Sequence, residues 1–149
     1  MAATAVRNSI QRWAGQRALE YLGVRVGQKE FVLQLERVRE VMLLQDLVRV
    51  PGMPHYVKGM ITVHGLVVPV LDLRTRLGLP ERGRTHLARM VVVRVESSQV
   101  GGGRLVGLIV DAVTEIVQSP STDQRILAKC RRKSRKRMLL DVDALIAAT

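Results

Sequence analysis

Apolar residues along this chain come in short runs, and turn-forming residues interrupt them about every eight to twelve positions. The first pair, YLGVRV and FVLQL, flanks Gly27-Gln28 and predicts a β-hairpin. VREVMLL follows with Val38, Val41 and Leu44 apolar and Arg37, Arg39 and Glu40 between them. A run this short fits a helix or a strand equally well.

The stretch Val50 to Leu79 organises the rest. Pro51 and Pro54 bracket a bend, since proline fixes φ and restricts the residue before it. Gly59 releases the chain into MITV. His64-Gly65 then separates two strand-like runs by two residues, the spacing of a tight turn whose residues must tolerate positive φ. The return run LVVPVL carries Pro69, which cannot donate to a ladder, so an edge or a bulge is expected there. Asp72 is placed to cap a short helix, LRTRL, that Gly78 closes.

Pro80 to His86 is polar and predicts a connection between lobes. MVVVRV is a buried-type strand, SSQVGGG a turn, and RLVGLIVDAV a further strand with Gly107 inside it. ILAKC and MLLDV flank a basic run expected at a hairpin tip. Asp141 or Asp143 starts a last helix, DALIAA. PVLDLRTRLG and MLLDVDALI echo each other, a strand followed by an Asp and a short helix, which hints at two related lobes. About nine or ten short strands and few helices predict a mostly all-β chain, a small barrel or a sandwich. Residues 1–18 form an N-terminal arm. Ile10, Trp13 and Arg17 fit either a loose tail or a short amphipathic helix for a partner or a lipid surface.

Composition adds limits. With 149 residues the chain is long enough to bury a core without staples, and its single Cys130 excludes an internal disulfide. No apolar run is long enough to span a bilayer and no secretory signal opens the chain, so a cytoplasmic location without direct membrane insertion is expected. The net charge of +11 points to acidic partners, and six of the seven residues 131–137 are Lys or Arg. One Trp, two Tyr and one Phe supply no aromatic platform for single-stranded nucleic acid.

The chemistry of catalysis is missing. His55, His64 and His86 are the three histidines, and no zinc spacing, nucleophile elbow or phosphate loop is present. Asp111 and Glu115 are expected on a solvated rim. His64 reads as a turn residue, and Gly59, Gly65 and Gly107 as backbone requirements.

Four ordered motifs resemble the CheW family of chemotaxis adaptors. They are RVREV at 37–41; Val50-Pro51, Pro54, Gly59, Thr62-Val63-His64-Gly65, Pro69-Val70 and Asp72-Leu73-Arg74; VGLIVDAVTEIV at 106–117; and MLLDVDALI at 138–146. The resemblance covers about Glu20 to Ile146. It implies two SH3-like five-stranded β-barrel lobes with short helices, lobe one at about 19–80 and lobe two at about 87–149 of a domain spanning 19–149, with terminal elements free to pack across lobes. It implies no catalytic activity, no cofactor and no metal. The implied partners are the cytoplasmic tip of a chemoreceptor (a methyl-accepting chemotaxis protein) and the regulatory domain of a CheA-type histidine kinase, with no nucleic acid, at membrane-associated receptor arrays. Carried over by motif, the receptor-facing residues are Val38, Glu40, Gly59, His64, Gly65 and Gly107. Gly59 and Gly107 would admit a receptor helix, and Val38 would supply apolar contact. Kinase-contact residues carry no sharp motif.

The chain departs from the family where its hairpin arginine is His64 and its asparagine is Thr62. Histidine lacks the permanent charge and forked donors of arginine, so a different receptor or a gliding or pilus pathway is open. The loop 119–125 is trimmed and the 131–137 tip is basic. The competing reading is a basic SH3-like barrel that binds nucleic acid or another acidic cytoplasmic partner.

Overall fold

The computed structural model describes residues 19–80, 83–96, 104–119 and 137–147. The arm 1–18, Cys130 and basic residues 131–136 lie outside these. Among the described residues nine strands and two short helices occur in the order β1 (Leu19–Val26), β2 (Lys29–Gln34), β3 (Val38–Leu43), β4 (Val57–Val63), β5 (Leu66–Asp72), α1 (Leu73–Arg76), β6 (Arg89–Val95), β7 (Arg104–Val110), β8 (Ala112–Ser119), β9 (Arg137–Leu139) and α2 (Val142–Ala147). The ambiguous VREVMLL is strand β3, because it finds a partner in β6 with Val41 opposite Val91 and Met42 opposite Met90.

Two sheets form. One has the order β8-β1-β2-β9 and the other β3-β6-β7-β5-β4. They do not divide the chain at Pro80–His86. β1 and β2 share a sheet with β8 and β9, while β3, β4 and β5 share one with β6 and β7. The chain changes sheet at Leu35–Arg37, a single 3-10 turn, and again at Asp111, a one-residue corner between β7 and β8. Neither crossing carries glycine or proline, so no turn signal marked it. The contiguous lobes expected from the pattern are therefore replaced by interleaved ones.

The five-stranded sheet curls. β3 and β4 stand at opposite ends of its hydrogen-bonded order, yet Glu40 of β3 meets His64 at the end of β4. The segment after β3 completes the closure. Val48 and Met60 exchange two backbone hydrogen bonds, 3.0 and 2.8 Å. Both polar groups of Met60 are thereby turned away from β5, which leaves the facing Pro69 in a pair that needs no donor. The parallel ladder to β7 starts only at Val70, so Pro69 is locally an edge, as its chemistry demands.

Both faces of β6 are buried, which explains why MVVVRV shows no alternation. Met90 and Val92 point into the curled sheet beside Ile61, Val63, Val68, Val70 and Ile109. Val91, Val93 and Val95 point the other way and pack with Leu22, Val24, Phe31 and Leu33 from the four-stranded sheet. This second cluster joins the lobes.

The echoed motifs fold alike. Asp72 caps α1 by accepting from the Arg74 backbone N–H at 3.0 Å, and the Gly78 and Leu79 amides close it on the Thr75 and Arg74 carbonyls. Asp141, rather than Asp143, caps α2, accepting from the amides of Asp143 and Ala144 at 3.1 and 3.2 Å. Asp143 instead binds the Arg37 guanidinium at 2.8 Å and the Glu96 amide at 2.9 Å. Arg76 joins the two helices by donating to the Leu145 carbonyl at 3.1 Å while covering the Tyr56 ring.

Candidate functional site

The turn at His64-Gly65 is built as its residue types demand. Its two residues have φ of 48° and 81°, the left-handed pair that lets the turn follow the twist of its strands. Their side of the hairpin is exposed, and so are Leu66 and Val67 beside them. The His64 Nε2 lies 2.8 Å from Glu40 Oε2, with His64 71% exposed and Glu40 35%. Thus two residues 24 positions apart, expected together only through motif resemblance, form one contact across the closing edges of the curled sheet.

The other four expected residues divide. Gly65 lies in the same turn. Val38 pairs with Val93 and packs, partly buried, against the interlobe cluster, so its side chain serves the core with part of its surface. Gly59 is buried beneath the 47–48 segment. A Cβ there would stand 2.8 Å from both the Leu47 Cβ and the Val48 carbonyl oxygen. Gly107 faces the interior of the curled sheet, where a Cβ would meet Val70 Cγ2 at 3.2 Å and Met90 Sδ at 3.3 Å. Both glycines make room for the chain's own atoms. The expectation that they admit a receptor helix loses its physical basis.

Asp111 is not on a solvated rim, and Glu115 is half-buried. Asp111 Oδ2 accepts from Arg74 Nε and Nη2 at 3.0 and 2.8 Å and from the Gly27 amide at 2.5 Å, while its own amide donates to the Arg25 carbonyl at 2.9 Å. Glu115 pairs with Arg137, which also reaches Glu30 at 3.5 Å. Arg137, the last residue of the basic run, is therefore a buried cross-strand side chain of β9 and no part of a solvated tip. Burial also pushes the Tyr21 phenol above its ordinary range, with the Glu36 charge adding to the effect.

Sequence reasoning missed the Arg74–Asp111 junction, although both residues stand in the motifs it quoted, DLR and VD. The matching signal was an unassigned Arg and Asp on segments that both end strands. It also missed the exposed Leu66 and Val67, because LVV reads as a buried run.

Among the described residues no group of three or more His, Cys, Asp or Glu could hold a metal ion, and no helix is long and apolar enough to cross a membrane.

The CheW-like domain family model matches residues 20–148. A "Chemotaxis protein CheW" from Bacillus subtilis is 31% identical over 130 residues, covering 81% of this chain and 82% of that protein. A "Chemotaxis protein CheW" from Rhizobium meliloti is 35% identical over 104 residues, 70% of this chain but 63% of the relative's length. The crystal structure of the scaffolding protein TtCheW from Thermoanaerobacter tengcongensis superposes with a TM-score of 0.70 at 22% identity, covering 86% of this chain and 87% of that one. That likeness establishes the fold, two SH3-like β lobes, and the family match spans both sheets, the His64-Gly65 turn and the Arg74–Asp111 junction. The chain belongs to the CheW-like domain family.

Proposed function

We propose that this protein is a non-catalytic adaptor that couples chemoreceptors to a CheA-type histidine kinase, in chemotaxis or a related motility pathway. The observation that carries the reading is the family match over residues 20–148, nearly every described residue. Relatives named for chemotaxis support it. The receptor-facing surface in this reading is the open end of the curled sheet. Glu40, His64 and Gly65 are presented there, with Leu66 and Val67 as an apolar fringe. Val38, Gly59 and Gly107 shape the backbone beneath and do not touch the partner. The protein works where receptor arrays gather at the membrane, through partners rather than by insertion.

An adaptor of this kind acts by differential contact. It shifts the kinase between states only as far as its receptor-bound and receptor-free forms hold the kinase differently. A rigid junction between the lobes suits that task, because a displacement at one lobe then reaches the other undamped.

The basic-barrel alternative rests on net charge alone. The internal pairs leave that net charge of +11 unchanged, but they hold six of the 24 Lys and Arg side chains in place: Arg37 on Asp143, Arg74 on Asp111, Arg84 on Asp72, Arg137 on Glu115, and Arg76 and Arg89 on backbone carbonyls. Capture of a chemoreceptor tip fragment and of a kinase regulatory domain at moderate salt tests the proposal. Both are expected to be retained. Retention of DNA with loss of both proteins defeats it.

A further inference from the structure

The four-stranded sheet curls as the five-stranded one does, and a buried charge makes its closure. β8 and β9 stand at opposite ends of its hydrogen-bonded order, yet Arg137 of β9 meets Glu115 of β8. Arg25, Glu30 and Arg137 form one row across β1, β2 and β9, with the Arg137 Nε 3.5 Å from Glu30. The Arg137 side chain is 5% exposed. Its Nη1 and the Arg25 Nε are buried and find no hydrogen-bond partner among the described residues. Such a cluster is a poor source of stability. Desolvation of the charges offsets most of their attraction, and two orphaned donors add to the deficit. The next inward position of the strand shows the apolar alternative, since Leu139 packs with Tyr21, Val32 and Val117.

What the cluster supplies is register. β9 has three residues and pairs in parallel with β2 through Glu30–Arg137, Phe31–Met138 and Val32–Leu139. Met138, Leu139 and Leu140 are all apolar, so the strand reads alike on both faces and alternation does not fix which face turns inward. A one-residue slip would bring Met138 beside Val32, Leu139 into the place of Leu140, and Arg137 to the exposed position of Met138. Lys136 would enter the row, and its single ammonium cannot fork to two carboxylates as a guanidinium does. The slip would also displace α2 by about 3.3 Å. Asp143 would leave Arg37 and the Glu96 amide, and the Leu145 carbonyl would leave Arg76. We infer that Arg137 is the register lock of β9 and through it positions α2 on the five-stranded lobe, so that the buried cluster specifies the interlobe contacts rather than adding stability. The inference concerns the fold itself and does not depend on the adaptor reading.

The test uses the whole protein. Glu115→Gln combined with Arg137→Met removes the cation and one carboxylate together and leaves Glu30 opposite Arg25 on β1. The urea midpoint of this double variant is expected to equal or exceed that of the wild type, as when a buried ion pair gives way to an apolar side chain. Its amide NMR spectrum is expected to show doubled resonances for Leu139, Leu140 and Asp143. Hydrogen exchange at the Leu140 amide, which donates to the Val32 carbonyl at 2.9 Å, is expected to quicken about tenfold. Adding Met138→Lys is expected to restore single resonances and slow exchange, because a lysine suits the exposed position of Met138 but not a place beside Val32. A lowered midpoint with single resonances, or loss of the folded state, would make the cluster a source of stability and overturn the lock. Spectra and exchange indistinguishable from wild type in the double variant overturn it too. So does doubling that persists with Met138→Lys, since the heterogeneity is then no slip of β9.

Discussion

Two acid–base pairs in this protein have the same closest approach, 2.8 Å, and opposite surroundings. Arg74–Asp111 is 12% exposed on each side, and His64–Glu40 is 71% and 35% exposed. The first sits at the corner where the chain leaves β7 for β8 and holds the β1–β2 turn through Gly27. The second spans the open end of the curled sheet. Distance alone thus says little about strength. A buried carboxylate stripped of its partner leaves an uncompensated charge, at a cost of about 3–5 kcal/mol, whereas an exposed pair competes with water and is worth about 0–1 kcal/mol. The junction is suited to holding two lobes at a fixed angle. The exposed pair is suited to being exchanged for a partner's side chain.

The comparison can be broken in three places. Asp111→Ala should have the largest effect, a loss of about 3–5 kcal/mol of unfolding free energy in urea, since the largely buried Arg74 guanidinium loses its carboxylate and the Gly27 amide its acceptor. A loss below about 1 kcal/mol would place Asp111 in the same class as Glu40. Gly59→Ala comes next. Its Cβ would press on the Val48 carbonyl, a backbone atom that cannot swing aside, and a destabilisation of about 1–3 kcal/mol is expected. If urea melts of this variant matched wild type while receptor binding vanished, the space at Gly59 would belong to the partner after all. The smallest effect belongs to the exposed pair. A double-mutant cycle with Glu40→Gln and His64→Gln should give a coupling in stability of about 0.2–1 kcal/mol. A coupling as large as that of Asp111 would mean that the pair holds the sheet closed.

Much of the local structure was legible because it depends on residues close in sequence. Gly27-Gln28 and His64-Gly65 mark their hairpins by turn chemistry, and Asp72 caps its helix as its place before LRTRL implies. The same logic left a choice between Asp141 and Asp143, since either stands at the right place to start α2. Arg37, 106 residues away, decides it by drawing Asp143 off. Asp111 and Glu115 looked like rim residues because carboxylates in isolation favour water. Their arginine partners come from positions 74 and 137, and no local pattern reveals them. Of the candidate site, Glu40, His64 and Gly65 were found by motif and do converge. Val38, Gly59 and Gly107 were found by the same motifs but face inward.

The sequence by itself determined most of the strands, their turns and the cap of α1, because propensity, turn geometry and capping act over a few residues. It also determined the family, because four ordered motifs survive in it. The tertiary structure alone decided which strands share a sheet, which charges are buried, and which glycines serve the chain rather than a partner. Those outcomes depend on side chains brought together from distant positions. Whether a carboxylate is an anchor or an exposed contact follows from the water around it, and burial is a property of the packed molecule.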